Sequence, residues 1–84
     1  MKINVVITGR SYHQANDVPE SLDLPTGSSL DQALAEIESL LGGELPGTCL
    51  LSVSGNHVGN VAQHENVPLN DGDELVLIAP VAGG

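Results

Sequence analysis

The clearest helical pattern in this chain also sets the strictest limit on what it can fold into. Leu30, Ala33, Leu34, Ile37, Leu40 and Leu41 fall at i, i+3, i+4, i+7, i+10 and i+11, which is one face of a helix. Ser29 precedes the pattern and Gln32 follows three residues later, the spacing of a capping box. Asp31 lies in the first turn, where the partial positive charge of the helix start favours a carboxylate. Gly42-Gly43 can close the helix in the left-handed conformation. The spacing predicts a helix over 30–41. One helix can cover only one face of a sheet, so strands elsewhere in the chain must form a two-layer α+β unit.

Strands flank that helix on both sides. Ile3, Val5 and Ile7 alternate with Asn4, Val6 and Thr8, a period-two strand with one strongly apolar face. A polar, turn-rich stretch from 9 to 19 leads to a short strand over 20–24, with Leu22 and Leu24 inward, ended by Pro25-Thr26-Gly27. After the helix and Pro46-Gly47, residues 49–54 read as a third strand, Gly55-Asn56 as a turn, and 57–59 as a very short fourth strand. Asn70-Asp71-Gly72 is a tight turn. The last strand, 74–79, is apolar on both faces, as a central strand is, and Pro80 ends it because it has no N–H for the ladder. A hairpin before the helix and a continuously apolar final strand place the first and last strands side by side in the centre. The expectation is a mixed sheet of four to five strands on one main helix, in the layout of the ubiquitin-like β-grasp. No internal repeat is present. Residues 1–84 read as one domain with a flexible tail over 79–84.

The composition narrows the partners. The formal net charge is −9, so phosphate backbones are repelled and nucleic-acid binding is not expected. A basic partner surface would be attracted. The same acidity keeps a small protein in solution or suits a salty habitat. No stretch approaches the ~18–20 apolar residues of a membrane span, and the apolar run after Met1-Lys2 is too short for a signal peptide. A single cysteine, Cys49, allows no internal disulfide and fits a reducing cytoplasm. Its mid-strand position marks it as a small buried hydrophobe. His13, His57 and His64 lack metal-ligand spacing and read as surface or loop residues. Asp71, Asp73 and Glu74 belong to a turn with no calcium loop around them. Ser11, His13 and Asp17 share a loop with nothing to orient them as a triad. No metal or bound cofactor is expected.

The sequence ends in Ala82-Gly83-Gly84. Two glycines present a carboxylate on a backbone without side chains, able to thread a narrow channel. The run from Asp71 to Gly84, with Val53-Ser54-Gly55-Asn56 upstream, strongly resembles the molybdopterin synthase small subunit family. With the thiamine sulfur carrier, that family forms the ubiquitin-like sulfur-carrier group. Ser54 stands where the family's turn usually has Asn, and Ala79 where it often has a first proline.

The resemblance implies a carrier whose reactive group is its own terminus. A ubiquitin-activating-enzyme-like adenylyltransferase would use ATP and Mg²⁺ to adenylate Gly84, and a persulfide sulfur would displace AMP to leave a thiocarboxylate. The tail would then enter the molybdopterin synthase large subunit, in a hetero-oligomer, and pass sulfur to a pterin precursor. Gly83 keeps the channel narrow, Pro80 stiffens the exit, and Pro80, Val81 and Ala82 line the partner's surface. The tail from 79 to 84, fully extended, reaches at most about 20 Å. The open sheet face is the docking surface, with Ile78 as the exposed partner contact. Three other functions share these features: a carrier for thiamine, thiolated tRNA or cysteine, a protein modifier joined to lysines through Gly84, and an interaction module with an inert tail. Lys2 is the only lysine, and few amines are then present to attack an activated terminus.

Overall fold

Alternation in the strands decides which side of the sheet becomes the interior. In the computed structural model, residues 1–8 and 20–78 are described. Strand β1 spans Lys2–Thr8, β2 Ser21–Asp23, β3 Leu50–Val53, β4 Asn56–Asn60 and β5 Glu74–Ile78, and helix α1 spans Leu30–Leu41. The sheet order is β2-β1-β5-β3-β4. The first and last strands are neighbours and run parallel, with Val5 opposite Leu75 and Ile7 opposite Leu77. The other pairings are antiparallel. Ile3, Val5, Leu22, Leu51, Val53, Leu75 and Leu77 turn inward, and Leu30, Ala33, Leu34 and Ile37 of α1 meet them. Leu51, Leu75 and Leu77 are fully buried. Each such side chain contributes about 1.5–3 kcal/mol over the exposed state. The core is aliphatic, as a chain with one aromatic residue requires.

The helix begins and ends where its sequence says. Gln32 Oε1 accepts the Ser29 N–H at 2.8 Å, the reciprocal half of the capping box. Gly42 sits at φ 76°, and its N–H reaches the carbonyls of Glu38 and Ser39. Gly43 N–H reaches the Glu38 carbonyl at 3.2 Å, which completes a Schellman closure. Leu40 departs from the expectation: it is exposed, not part of the buried face. At about 100° per residue it falls roughly 80° from Leu30, on the flank of the stripe, while Leu41 comes back into line and is half-buried.

Two further differences lie in the β3–β4 region. The turn is centred on Ser54-Gly55, at φ 47° and 86°, not on Gly55-Asn56. Positive φ at both central residues is the geometry that matches the twist of a two-residue hairpin. Ser54 is held there through Asp73 and Glu74. Its hydroxyl donates to Asp73 Oδ1 at 2.9 Å and accepts the Glu74 N–H at 3.2 Å. Strand β4 is longer than expected, because Asn56 and Asn60 also pair with β3. Its register slips between Leu51 and Ser52, leaving Val58 as the extra residue of a bulge.

After β4 the chain doubles back in an arch. Gly59 bridges to His64, Asn60 N–H donates to the Gln63 carbonyl at 2.9 Å, and Glu65 N–H donates to the Val58 carbonyl at 3.0 Å. The arch then delivers acceptors to the start of α1. Leu30 N–H donates to the Val67 carbonyl at 2.9 Å, and Asp31 N–H donates to Asn66 Oδ1 at 2.9 Å. Unpaired N–H groups of the first turn are therefore satisfied from a distant segment. The turn-rich stretch read between β1 and β2, with Ser11, His13 and Asp17, and the tail read over 79–84 lie outside the described residues.

Candidate docking face and C-terminal exit

Ile78 is the last residue of β5 and the last described before the C-terminal segment. Because Leu75 and Leu77 point into the core, Val76 and Ile78 must point to the opposite face. Register decides what stands beside them. Ile78 lies between Thr8 of β1 and Leu50 of β3, and Val76 between Val6 and Ser52. Leu50 in turn pairs with Asn60 of β4. Ile78, Leu50 and Val6 are 43%, 42% and 39% exposed, and Val76 is half-buried. These four side chains form a contiguous apolar strip on the sheet face that α1 leaves uncovered, at the end where β5 leads to the tail. Grouped exposed apolar side chains of this kind mark interaction surfaces.

The other end of the same face is polar. There β1 contributes Lys2 and Asn4, β2 contributes Asp23, and β5 contributes Glu74, all exposed. Beyond them, Asp71 Oδ1 accepts the Lys2 N–H at 2.7 Å and Asp73 Oδ2 accepts the Asn70 N–H at 2.8 Å. These carboxylates serve the turn, as the sequence indicated. Among the described residues, no three His, Cys, Asp or Glu side chains converge as metal ligands.

Of the residues expected to act, Ile78 is exposed beside the start of the tail. Pro80, Val81, Ala82, Gly83 and Gly84 lie outside the described residues. Sequence reasoning missed Leu50 and Val6 as parts of the strip. Their alternation with buried neighbours marks them as outward-facing, but only register places them next to β5. Cys49 is fully buried at the entry to β3 and offers no sulfur to solvent. Among the described residues, no helix is long and apolar enough to cross a membrane.

The histidines divide. His57 is exposed, as read. His64 lies in the loop after β4, as read, but its side chain is only 11% exposed, with Nε2 2.6 Å from Asp31 Oδ1 and Nδ1 2.9 Å from the Asn60 carbonyl. Both partners are acceptors, so the ring satisfies both contacts only as a doubly protonated imidazolium. Burial opposes that charge. The hydrogen bond to Asp31, the Asn60 carbonyl and the Asp31 charge together outweigh it, and the pKa is raised above 6.5. A raised folded-state pKa gives stability that is fully present below the unfolded pKa and is lost as pH rises through the folded one. Urea midpoints are therefore expected to fall from about pH 6 to about pH 8. His64→Gln should flatten that slope. An unchanged slope in the variant would remove His64 as its cause. Asp31 is 58% exposed, so added salt should weaken the effect.

Comparison with known proteins bears on this geometry. The family model for the ThiS family matches residues 5–84. A protein of Archaeoglobus fulgidus, named only as uncharacterized, is 29% identical over 92 residues, with both chains covered in full. The crystal structure of SAMP1 from Haloferax volcanii superposes with a TM-score of 0.70 at 18% identity, again over the whole of both chains. That likeness speaks for the fold, which is the ubiquitin-like β-grasp. The family match extends from within β1, across the uncovered sheet face, to the final glycine, and on that match the chain belongs to the ThiS family.

Proposed function

We propose that this protein is a sulfur carrier acting through the carboxylate of Gly84, as the small subunit of a molybdopterin synthase. The observation that carries the reading is the apolar strip of Val6, Leu50, Val76 and Ile78, uncovered by any described element and lying where β5 hands over to the tail. A partner seated on that strip would be positioned to receive the Gly-Gly terminus. The run Pro80-Val81-Ala82-Gly83-Gly84 supports the molybdopterin branch over the thiamine branch.

A carboxylate is a poor electrophile, so the terminus must first be activated. A Gly84 oxygen attacks the α-phosphorus of Mg-ATP on an adenylating partner and pyrophosphate leaves. A persulfide sulfur then displaces AMP, and a thiol cleaves the acyl disulfide to leave the thiocarboxylate. On this reading no side chain among the described residues acts as a catalyst. The chain supplies a face to dock with, a tail to insert and a terminal nucleophile. Its net charge of −9 draws it toward partners with basic rims.

The test is intact mass after incubation with the adenylating enzyme, ATP and a persulfide donor. Exchange of one oxygen for sulfur is expected, and its absence with a demonstrably active enzyme would end the proposal. Deleting Gly84 should abolish the exchange. Ile78→Asp places a charge in the strip without touching the core. It is expected to weaken partner binding about tenfold to a hundredfold, with stability within about 0.5 kcal/mol of the parent. Unchanged affinity by titration calorimetry would move the docking surface elsewhere.

A further inference from the structure

Between the β3–β4 hairpin and the segment 67–73 the protein forms a cleft of about 230 Å³. Sites for free small ligands run to roughly 300–1,000 Å³, so this one suits a single side chain better than a cofactor. Val58, Val67 and Pro68 make its lining partly apolar, and Asn56, Asn70 and Asp73 add polar groups. Asp73 stands just before Glu74, the first residue of β5, and Ile78 is the last residue of that strand. Five residue steps along an extended strand span about 17 Å. The cleft therefore lies at the end of β5 away from Ile78.

The carboxylate in the cleft is fixed in place. Asp73 Oδ1 accepts the Ser54 hydroxyl at 2.9 Å, and Oδ2 accepts the Asn70 N–H at 2.8 Å. A carboxylate offers about four lone-pair sites, so each oxygen keeps room for another donor. Among the described residues no cation pairs with Asp73, and the side-chain amides of Asn56 and Asn70 bond to none of them. Ser54, which also lines the cleft, is held at φ 47°. It is the one non-glycine residue at positive φ among those described, and strained backbone of this kind clusters at functional sites. Here the strained residue is the one that aims the carboxylate.

We propose that this cleft receives an arginine side chain from a partner polypeptide. The aliphatic stem lies along Val58, Val67 and Pro68, and the guanidinium meets Asp73 and the amide oxygens of Asn56 and Asn70. Arginine fits these acceptors better than lysine does. Its planar fork carries five donors and is weakly hydrated, whereas an ammonium is a compact, strongly hydrated charge. The chain holds two basic residues, Lys2 and Arg10. Lys2 alternates with the buried Ile3 and so belongs to the outer sheet face, and Arg10 lies outside the described residues. At a net charge of −9, a basic partner is drawn in. A partner held here leaves the Ile78 end of β5 free, and the site does not depend on what happens to Gly84.

The experiment titrates the full chain with N-acetyl-arginine methylamide and follows backbone amides by NMR, with the citrulline and lysine analogues as controls. Saturable shifts are expected at Asn56, Val58, Val67, Asn70 and Asp73. The neutral citrulline analogue should bind about tenfold more weakly or worse. Asp73→Asn keeps an oxygen for the Ser54 hydroxyl but removes the charge, and should weaken binding to the same degree. Asn56→Arg leaves both Asp73 hydrogen bonds in place and sets a guanidinium at the cleft, so it should block the added arginine even if Asp73→Asn fails to fold. Equal shifts with citrulline or lysine, or full binding in folded Asn56→Arg, would overturn the proposal. So would shifts spread evenly over acidic positions elsewhere, such as Asp23 and Glu36, which would show only diffuse attraction. Shifts that appear only in Arg10→Gln would make the chain's own arginine the occupant and overturn the partner.

Discussion

Gly59→Ala is expected to destabilise the protein by on the order of 3 kcal/mol or more. Gly59 sits at φ 128°, where side chains are rarely tolerated. A Cβ there would lie 2.4 Å from the Gln63 carbonyl oxygen and 2.7 Å from His64 Cα. Both neighbours belong to the backbone of the arch, and backbone cannot rotate aside as a side chain can. Opening the arch would also withdraw the His64–Asp31 contact and the acceptors that Asn66 and Val67 bring to α1. The loss therefore spreads from a turn to the helix. Gly55→Ala is the control. Its φ is 86°, also positive, but nothing lies within 4 Å of the added carbon. That variant should lose only about 1–2 kcal/mol for the backbone conformation. Urea midpoints for the two proteins decide the point. Equal losses would show that conformation alone, and not the close approach of the arch, makes Gly59 necessary.

Gly83→Leu is expected to abolish sulfur loading while the urea midpoint stays within about 0.5 kcal/mol of the parent. Position 83 lies outside the described residues. On the proposed mechanism the effect would arise in the partner's channel, where a branched side chain would collide with walls that admit bare backbone. Activity and stability should separate cleanly: loading lost by mass spectrometry, unfolding unchanged. A Gly83→Leu protein that loads sulfur at the parent rate would remove the threading mechanism. A protein that loses both would place the defect in folding.

Local features were legible in the sequence, and distant ones were not. The capping residues of α1, the stop at Gly42 and the two faces of β5 all depend on neighbours within a few positions, so spacing alone reveals them. The flank position of Leu40 shows only when the helical angle is carried through to the final turn. The β3–β4 turn lies one residue earlier than the spacing indicates, because serine is a poor candidate for positive φ. Ser54 adopts it with help from Asp73, which is 19 positions away. The apolar strip needs register: the exposure of Ile78 follows from its own strand, but Leu50 and Val6 join it only once β5 is known to lie between β3 and β1. His64 and Asp31 are 33 residues apart, and no spacing rule connects them. The C-terminal pattern, by contrast, is short and contiguous, and it points to the sulfur-carrier group to which the ThiS family belongs, without separating its branches.

The strand that leads to the tail is the middle strand of the sheet, bonded to β1 on one side and β3 on the other. A partner that grips the terminus therefore pulls along β5 and loads two ladders in shear at once, so that many hydrogen bonds must give way together. Had the tail followed an edge strand, the same pull could have peeled the sheet one bond at a time. On the proposed function, the protein is mechanically anchored at the point where a partner would hold it, and an enzyme could draw the terminus into a deep channel without unravelling the protein behind it.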